Sequence, residues 1–213
     1  EQGQDGLYTT TLFKFKPGFI GQINPAMELG RSFIVSEYQR KHATLTLLWR
    51  AICAYLARNP RYATLFGPVS ITNEYNALSR DLLVQFMKKS VTESAYSPLK
   101  TLVKAKNPPR GRRMKGHERR ALLNSARDID DVSAIISEIE RDHKGVPTLL
   151  RHYMKMSGQI LSFNVDNAFG QCLDGLIVVD MPKADPRLLR VYFGNEGMKA
   201  YLDYHYRKAR GEA

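Results

Sequence analysis

A mixed α/β sheet with flanking helices is the fold class that this sequence predicts. Three observations lead there. The first ninety residues read strand, strand, helix, strand, helix, an order that builds a sheet with helices packed on it. Apolar residues in the segment Arg40 to Arg58 recur at helical spacing: Leu45, Leu48, Trp49, Ile52 and Leu56 fall at i, i+3, i+4, i+7 and i+11. Near the end, Gln159 to Val165 and Leu173 to Met181 are two short apolar runs with a brief connection, as antiparallel neighbours require.

Each element follows from its residues. Leu7 to Phe15 is rich in Thr, Tyr and Phe and bounded by Gly6 and Pro17, so it reads as a strand. Ala26 to Val35 reads as a second, with Gly30 marking a bulge or a close approach of another backbone or a ligand. Asn59-Pro60 stops the first helix. Tyr62 to Thr72 is a third strand and Ala77 to Val91 a second helix. Thr92 to Gly116 holds Pro98, Pro108, Pro109 and Gly111 and reads as a loop or lobe outside the core. Helical patterning returns at Val132, Ile135, Ile136 and Ile139, after Asp130 and Asp131 as capping residues. Further helices are expected over Pro147 to Met156, Pro186 to Phe193 and Glu196 to Tyr206.

Composition limits the function classes. The 213 residues are 43% hydrophobic and 25% charged, enough apolar bulk for one core without staples. Cys53 and Cys172 lie far apart with no CxxC pattern, which excludes a zinc ribbon or a disulfide framework; Cys53 falls on the apolar side of the first helix and reads as a buried, inert thiol. No window is apolar enough to span a membrane, and the chain opens without Met, so a soluble portion of a longer protein is expected. The formal charge is +11, concentrated at Lys100, Lys104, Lys106, Arg110, Arg112, Arg113, Lys115, Arg119 and Arg120. Such a stretch attracts polyanions; it holds no aromatic residue, which argues against base stacking and disfavours nucleic acid.

Candidate chemistry centres on residues 28–43. Glu28 and Arg31 are ionisable residues in an otherwise apolar strand. They read equally as an ion pair at a sheet irregularity, or as a general base beside a cation that holds an anionic group. Gln39, Arg40, Lys41 and His42 surround the start of the first helix, a ready anion site. No GxSxG, HExxH, GxxxxGK[ST] or GxGxxG occurs, which removes common hydrolase, zinc and nucleotide motifs.

Several motifs in order carry a resemblance. Glu28-Leu29-Gly30-Arg31-Ser32-Phe33, Tyr38-Gln39-Arg40, Leu47-Leu48-Trp49 and Leu65-Phe66-Gly67-Pro68-Val69-Ser70-Ile71 lead into Val146-Pro147-Thr148-Leu149-Leu150-Arg151, Phe163-Asn164-Val165-Asp166 and Leu173-Asp174-Gly175-Leu176-Ile177-Val178-Val179-Asp180. From Leu7 to Tyr206 the chain resembles the hemolysin-like N-acyltransferases of the GNAT fold, which include the enzymes of ornithine lipid synthesis, and more distantly the homoserine-lactone synthases, with a similar Glu-x-x-Arg. The resemblance implies a single GNAT-like domain over residues 1–213, with a basic insertion at about 92–120, lacking the family's first strand, helices and strand as a C-terminal portion would.

It also implies a function. A 3-hydroxyacyl group would pass from the phosphopantetheine thioester of acyl carrier protein, or from coenzyme A, to an amine such as an amino acid in lipid biosynthesis, with no tightly bound cofactor. Glu28 would be the base and Arg31 the cation for the acceptor carboxylate. Ser32, Phe33 and Ile34 would line the pantetheine, with Gln39, Arg40, Lys41, His42 and Ala43 at its phosphate end. The family pattern R/Q-x-x-G-x-G/A lacks both glycines here, which favours the carrier protein over coenzyme A. The basic segment suits an acidic carrier protein or an anionic bilayer, so a cytoplasmic location, peripheral to the inner membrane face, is expected. The rival is a non-catalytic GNAT-like module that docks on such anions.

Overall fold

Six strands and their helices are laid out by the computed structural model, which describes residues 3–30, 32, 34–38, 42–110 and 124–211. In chain order the described elements begin with β1 (Phe13–Phe15), α1 (Phe19–Ile23), β2 (Ala26–Glu28), α2 (His42–Arg58), β3 (Thr64–Ile71) and α3 (Ala77–Thr92). They continue with α4 (Ser97–Thr101), β4 (Val103–Ala105), α5 (Ile129–Ile139), α6 (Thr148–Lys155), β5 (Gln159–Asp166), β6 (Cys172–Asp180) and α7 (Pro186–Ala209). The main sheet has the order β2-β3-β6-β5, and β1 pairs with β4 in a small second sheet. β2 runs parallel to β3, whereas β6 is antiparallel to both β3 and β5. This is the mixed α/β sheet with flanking helices that the sequence predicts, and it is consistent with a GNAT-like fold.

Alternation along the strands gives the sheet two covered faces. On one, Leu65, Val69, Ile177 and Val179 pack with Trp49 and Leu56 of α2, Leu150 of α6 and Leu189 of α7. On the other, Phe66, Leu161, Leu176 and Val178 pack with Phe13, Phe19 and Ile23. β6 is buried over nearly its whole length because it lies between two strands and under two layers. Trp49 has 1% of its surface exposed and sits against His152, Tyr153 and Tyr192. The Tyr192 hydroxyl lies 2.9 Å from His152 Nε2.

Three segments differ from the sequence reading. Residues 8–11 form a 3-10 turn, so the expected strand over Leu7 to Phe15 is reduced to Phe13–Phe15. The second strand ends at Glu28 instead of Val35. Residues 92–110, expected outside the core, instead contain α4 and β4, whose Val103 and Ala105 are buried against β1. The helix at 129–139 is capped by Asp128, whose carboxylate accepts from the amides of Asp130 and Asp131. α7 breaks its helical dihedrals at Gly194, with φ 72°, between the two helices expected there.

One glycine governs how the sheet opens. A Cβ on Gly67 would lie 2.3 Å from the Leu29 carbonyl oxygen, a backbone atom with no rotamer to relieve the clash. Gly67→Ala is expected to destabilise the protein by about 1–3 kcal/mol in urea titrations. Gly21→Ala, in α1 with nothing within 4 Å, should cost nothing or stabilise slightly.

A pH dependence follows from two half-buried histidines. Burial, with Lys155 adding to it, holds His152 below its ordinary 6.5; burial, with Lys208, does the same for His205. The unfolded chain therefore takes up protons first as pH falls. Their stabilisation is complete above pH 6.5 and is lost as pH drops through 6.5 toward the depressed values. Urea midpoints on either side of pH 6.5 should show this limb, and the double variant His152→Gln/His205→Gln should flatten it.

Candidate functional site

The parallel pairing of β2 with β3 stops where its next donor is missing. Leu29 donates its amide to the Phe66 carbonyl at 2.7 Å. The next ladder bond would run from the amide of residue 68 to the Leu29 carbonyl, and Pro68 has no N–H. β3 nevertheless runs on to Ile71, paired on its other side with β6. Beyond Phe66 the two parallel strands therefore part, with the Leu29 backbone lying over Gly67.

Ser32, Ile34 and Ala43 are the expected donor residues whose side chains are described. Ser32 is exposed and Ile34 half-buried, and Ala43 is exposed in the first turn of α2. Thr44 Oγ1 donates to the Tyr38 carbonyl at 2.8 Å, tying that turn to the approaching chain. The first amides of α2 have no intrahelical acceptor and favour an anion. Arg31, Phe33, Gln39, Arg40 and Lys41 lie outside the described residues, and of His42 only the helical backbone is described. Of the basic stretch, Arg112, Arg113, Lys115, Arg119 and Arg120 lie outside them as well.

Glu28 has partners that the sequence did not reveal. Its Oε2 accepts the Tyr8 amide at 2.9 Å and its Oε1 the Thr9 amide at 2.7 Å. These amides open the 3-10 turn Tyr8–Thr11, so the carboxylate caps that turn and ties it to the sheet. Thr9 is fully buried, with no hydrogen-bond partner for its hydroxyl. The close approach expected at Gly30 falls elsewhere: a Cβ there would meet Tyr8 Cβ at an ordinary 3.5 Å, whereas the tight contact is at Gly67.

A second carboxylate sits in the middle of the sheet. Asp174 is 3% exposed on β6 and accepts from Ser70 Oγ at 2.6 Å across the β3 pairing. Burial pushes its pKa up; the Ser70 bond opposes that shift and the charge of Asp166 adds to it. Opposite it on β5, Asn164 accepts the Asn107 amide at 2.7 Å. Glu28, Ser70, Asp174 and Asn164 all share the face of Phe66 and Leu176. Glu28 lies opposite Phe66, so Ser70, four residues on, is about 13 Å further along β3 and the two carboxylates do not meet. The signal for Asp174 was present in the sequence: it is a lone carboxylate inside the apolar run of β6.

Other candidates are quieter. Burial pushes the Cys53 thiol up to about 12, so it is an inert core group. Among the described residues no group of three or more His, Cys, Asp or Glu side chains is placed to hold a metal ion. None of their helices is long and apolar enough to cross a membrane.

Comparison with known proteins points in one direction. Residues 1–50 match the model of the acetyltransferase (GNAT) domain, a stretch that holds β2, Glu28 and the start of α2. Over 204 residues the chain is 28% identical to a glycine N(alpha)-acyltransferase of Bacteroides thetaiotaomicron, covering 90% of this chain and 58% of that protein. Over 179 residues it is 25% identical to a glycine N(alpha)-acyltransferase of Phocaeicola vulgatus, covering 80% and 52%. The chain thus spans somewhat over half the length of these curated relatives. No solved structure matches it significantly. It is a chain with a GNAT domain match at its start and sequence similarity to N-acyltransferases along most of its length.

Proposed function

We propose that this chain contributes the donor cleft of an N-acyltransferase that moves a fatty acyl group from a phosphopantetheine thioester to the amine of an amino acid. The parting of β2 from β3 after Phe66 carries the reading, with α2 following along the same chain. An extended arm laid between parted strands meets backbone groups along its length, and its phosphate meets helix amides. In this reading Ser32, Phe33 and Ile34 line the arm and Gln39 to Ala43 take the phosphate. Similarity to the two glycine N-acyltransferases makes glycine the first acceptor to test.

The finer parts of the reading rest on the family resemblance: acyl carrier protein as donor, a 3-hydroxyacyl chain, and a lipid product of the ornithine-lipid kind. Lys100, Lys104 and Lys106 give the chain a cationic flank for an acidic carrier protein or an anionic bilayer.

Aminolysis requires the amine to lose a proton, attack the thioester carbonyl and expel the thiol. Glu28 is our base, and Arg31 holds the acceptor carboxylate. Each Glu28 oxygen already accepts one amide, which leaves a lone pair on each for a water that relays the proton. Asp174 is a second candidate, favoured by its burial and its raised pKa, which brings a carboxylate nearer to working pH.

Acyl transfer can be followed by mass spectrometry with 3-hydroxyacyl carrier protein, acyl-coenzyme A and an amino-acid panel, using the full-length protein. N-acylglycine is the expected product. Glu28→Gln should lower kcat by about a hundredfold or more, and a melting curve must accompany it because the amide cannot accept both backbone N–H groups. If Asp174 is the base, Asp174→Asn removes the acidic limb of the pH profile while Glu28→Gln leaves it in place. No product from the folded protein with any donor or acceptor would overturn the reading and leave the docking module.

A further inference from the structure

A second polar site lies at the outer edge of β5, apart from the parted strands. A cavity of about 460 Å³ opens there between α3, residues 107–110 and the β5–β6 connection. Its lining includes Val165 of β5 and Leu173 of β6 and no residue of β2, β3 or α2. Its contents therefore do not depend on the acyl-transfer reading.

A buried carboxylate with few hydrogen bonds lines this cavity. Asp81 is 7% exposed and lines the cavity, and its buried Oδ2 has no hydrogen-bond partner among the described residues. Its Oδ1 has only Gln85 Nε2, at 3.5 Å. A buried carboxylate oxygen without a donor is costly, and the group that best compensates it is a cationic N–H donor. Around it stand Arg80, Lys88 and Arg110, and none of them is ion-paired with a described residue. Three cations against one carboxylate leave the walls net positive. Asn107, Asn167 and Gln171 add neutral donors and acceptors.

We propose that this cavity binds a free acidic amino acid, a small molecule with one ammonium and two carboxylates. Its ammonium meets the Asp81 carboxylate, and its carboxylates take Arg80 together with Lys88 or Arg110. A dianion without an amine would face Asp81 with repulsion. A dibasic amino acid would add charge to walls that are already positive, and glycine would leave cations unpaired and most of the volume empty. The selectivity therefore differs from that of the proposed acyl acceptor.

Titration calorimetry on the whole chain at low salt tests this with L-glutamate, L-aspartate, glycine and L-lysine. Glutamate or aspartate should bind about tenfold or more tighter than glycine, with no heat from lysine. Asp81→Asn, which keeps the side-chain shape, and Arg80→Gln, at the half-buried wall, should each weaken glutamate by about tenfold or more. Melting curves establish that each variant is folded, and Arg80→Gln keeps the test decisive if Asp81→Asn is not. No glutamate binding by the folded wild type at about 10 mM, or equal binding by the folded variants, overturns the proposal. Acyl transfer is not a readout here, so either hypothesis can fail alone.

Discussion

The contact on which the architecture turns is that of the Leu29 carbonyl with the bare Cα of Gly67. A parallel pair would ordinarily continue its slanted ladder until one strand ends. Here two adjacent residues of β3 stop it, each in its own way: Pro68 withholds the donor that Leu29 needs, and Gly67 offers no side chain to keep the departing backbone away. β3 itself is held by β6 and does not follow. The opening between the strands is therefore a property of the folded backbone. Further along the chain, Trp49, Cys53 and Leu56 anchor α2 on the sheet.

Glu28 marks the last paired residue before that opening, and its side chain serves the opposite face. By accepting the Tyr8 and Thr9 amides it holds the chain's opening turn at the point where β2 ends. Charge-assisted hydrogen bonds of this kind are stronger than neutral ones, so the turn and the opening are mechanically linked. The same carboxylate can therefore support the site and take part in its chemistry, and the two contributions differ in their response to pH and in their effect on melting.

What the sequence disclosed was governed by local pattern, and what it concealed was governed by contacts distant along the chain. Leu45 to Leu56 recur on one helical face, and the structure has that helix within two residues of its expected start. Leu7 to Thr11 carried β-forming residues, but a carboxylate about twenty positions away captured their amides and made a 3-10 turn. The strand expected to reach Val35 was cut short by Pro68, on a different strand. Lys and Pro between 98 and 110 masked the buried alternation of Val103 and Ala105. Glu28 was legible as a carboxylate in an apolar strand; Asp174 had the same signature in β6. Only the strand order makes it central.

The polar groups also share a direction. β3 and β5 end, and β6 begins, at one end of the sheet. Ser70, Asp174 and Asn164 lie toward that end, as does the first half of α3 with Asp81. The carboxyl ends of parallel strands are where open α/β sheets place ligands, because helices begin there and the connecting chain is free to vary. In this protein the rule extends across both edges of a mixed sheet: parted strands beside α2 on one side, and a charged cavity beside α3 on the other. β6 lies between them with its apolar residues packed on both faces and Asp174 held by Ser70. Under the two proposals a ligand at one edge would meet a different set of side chains from a ligand at the other, and one sheet would recognise two molecules by different chemistry.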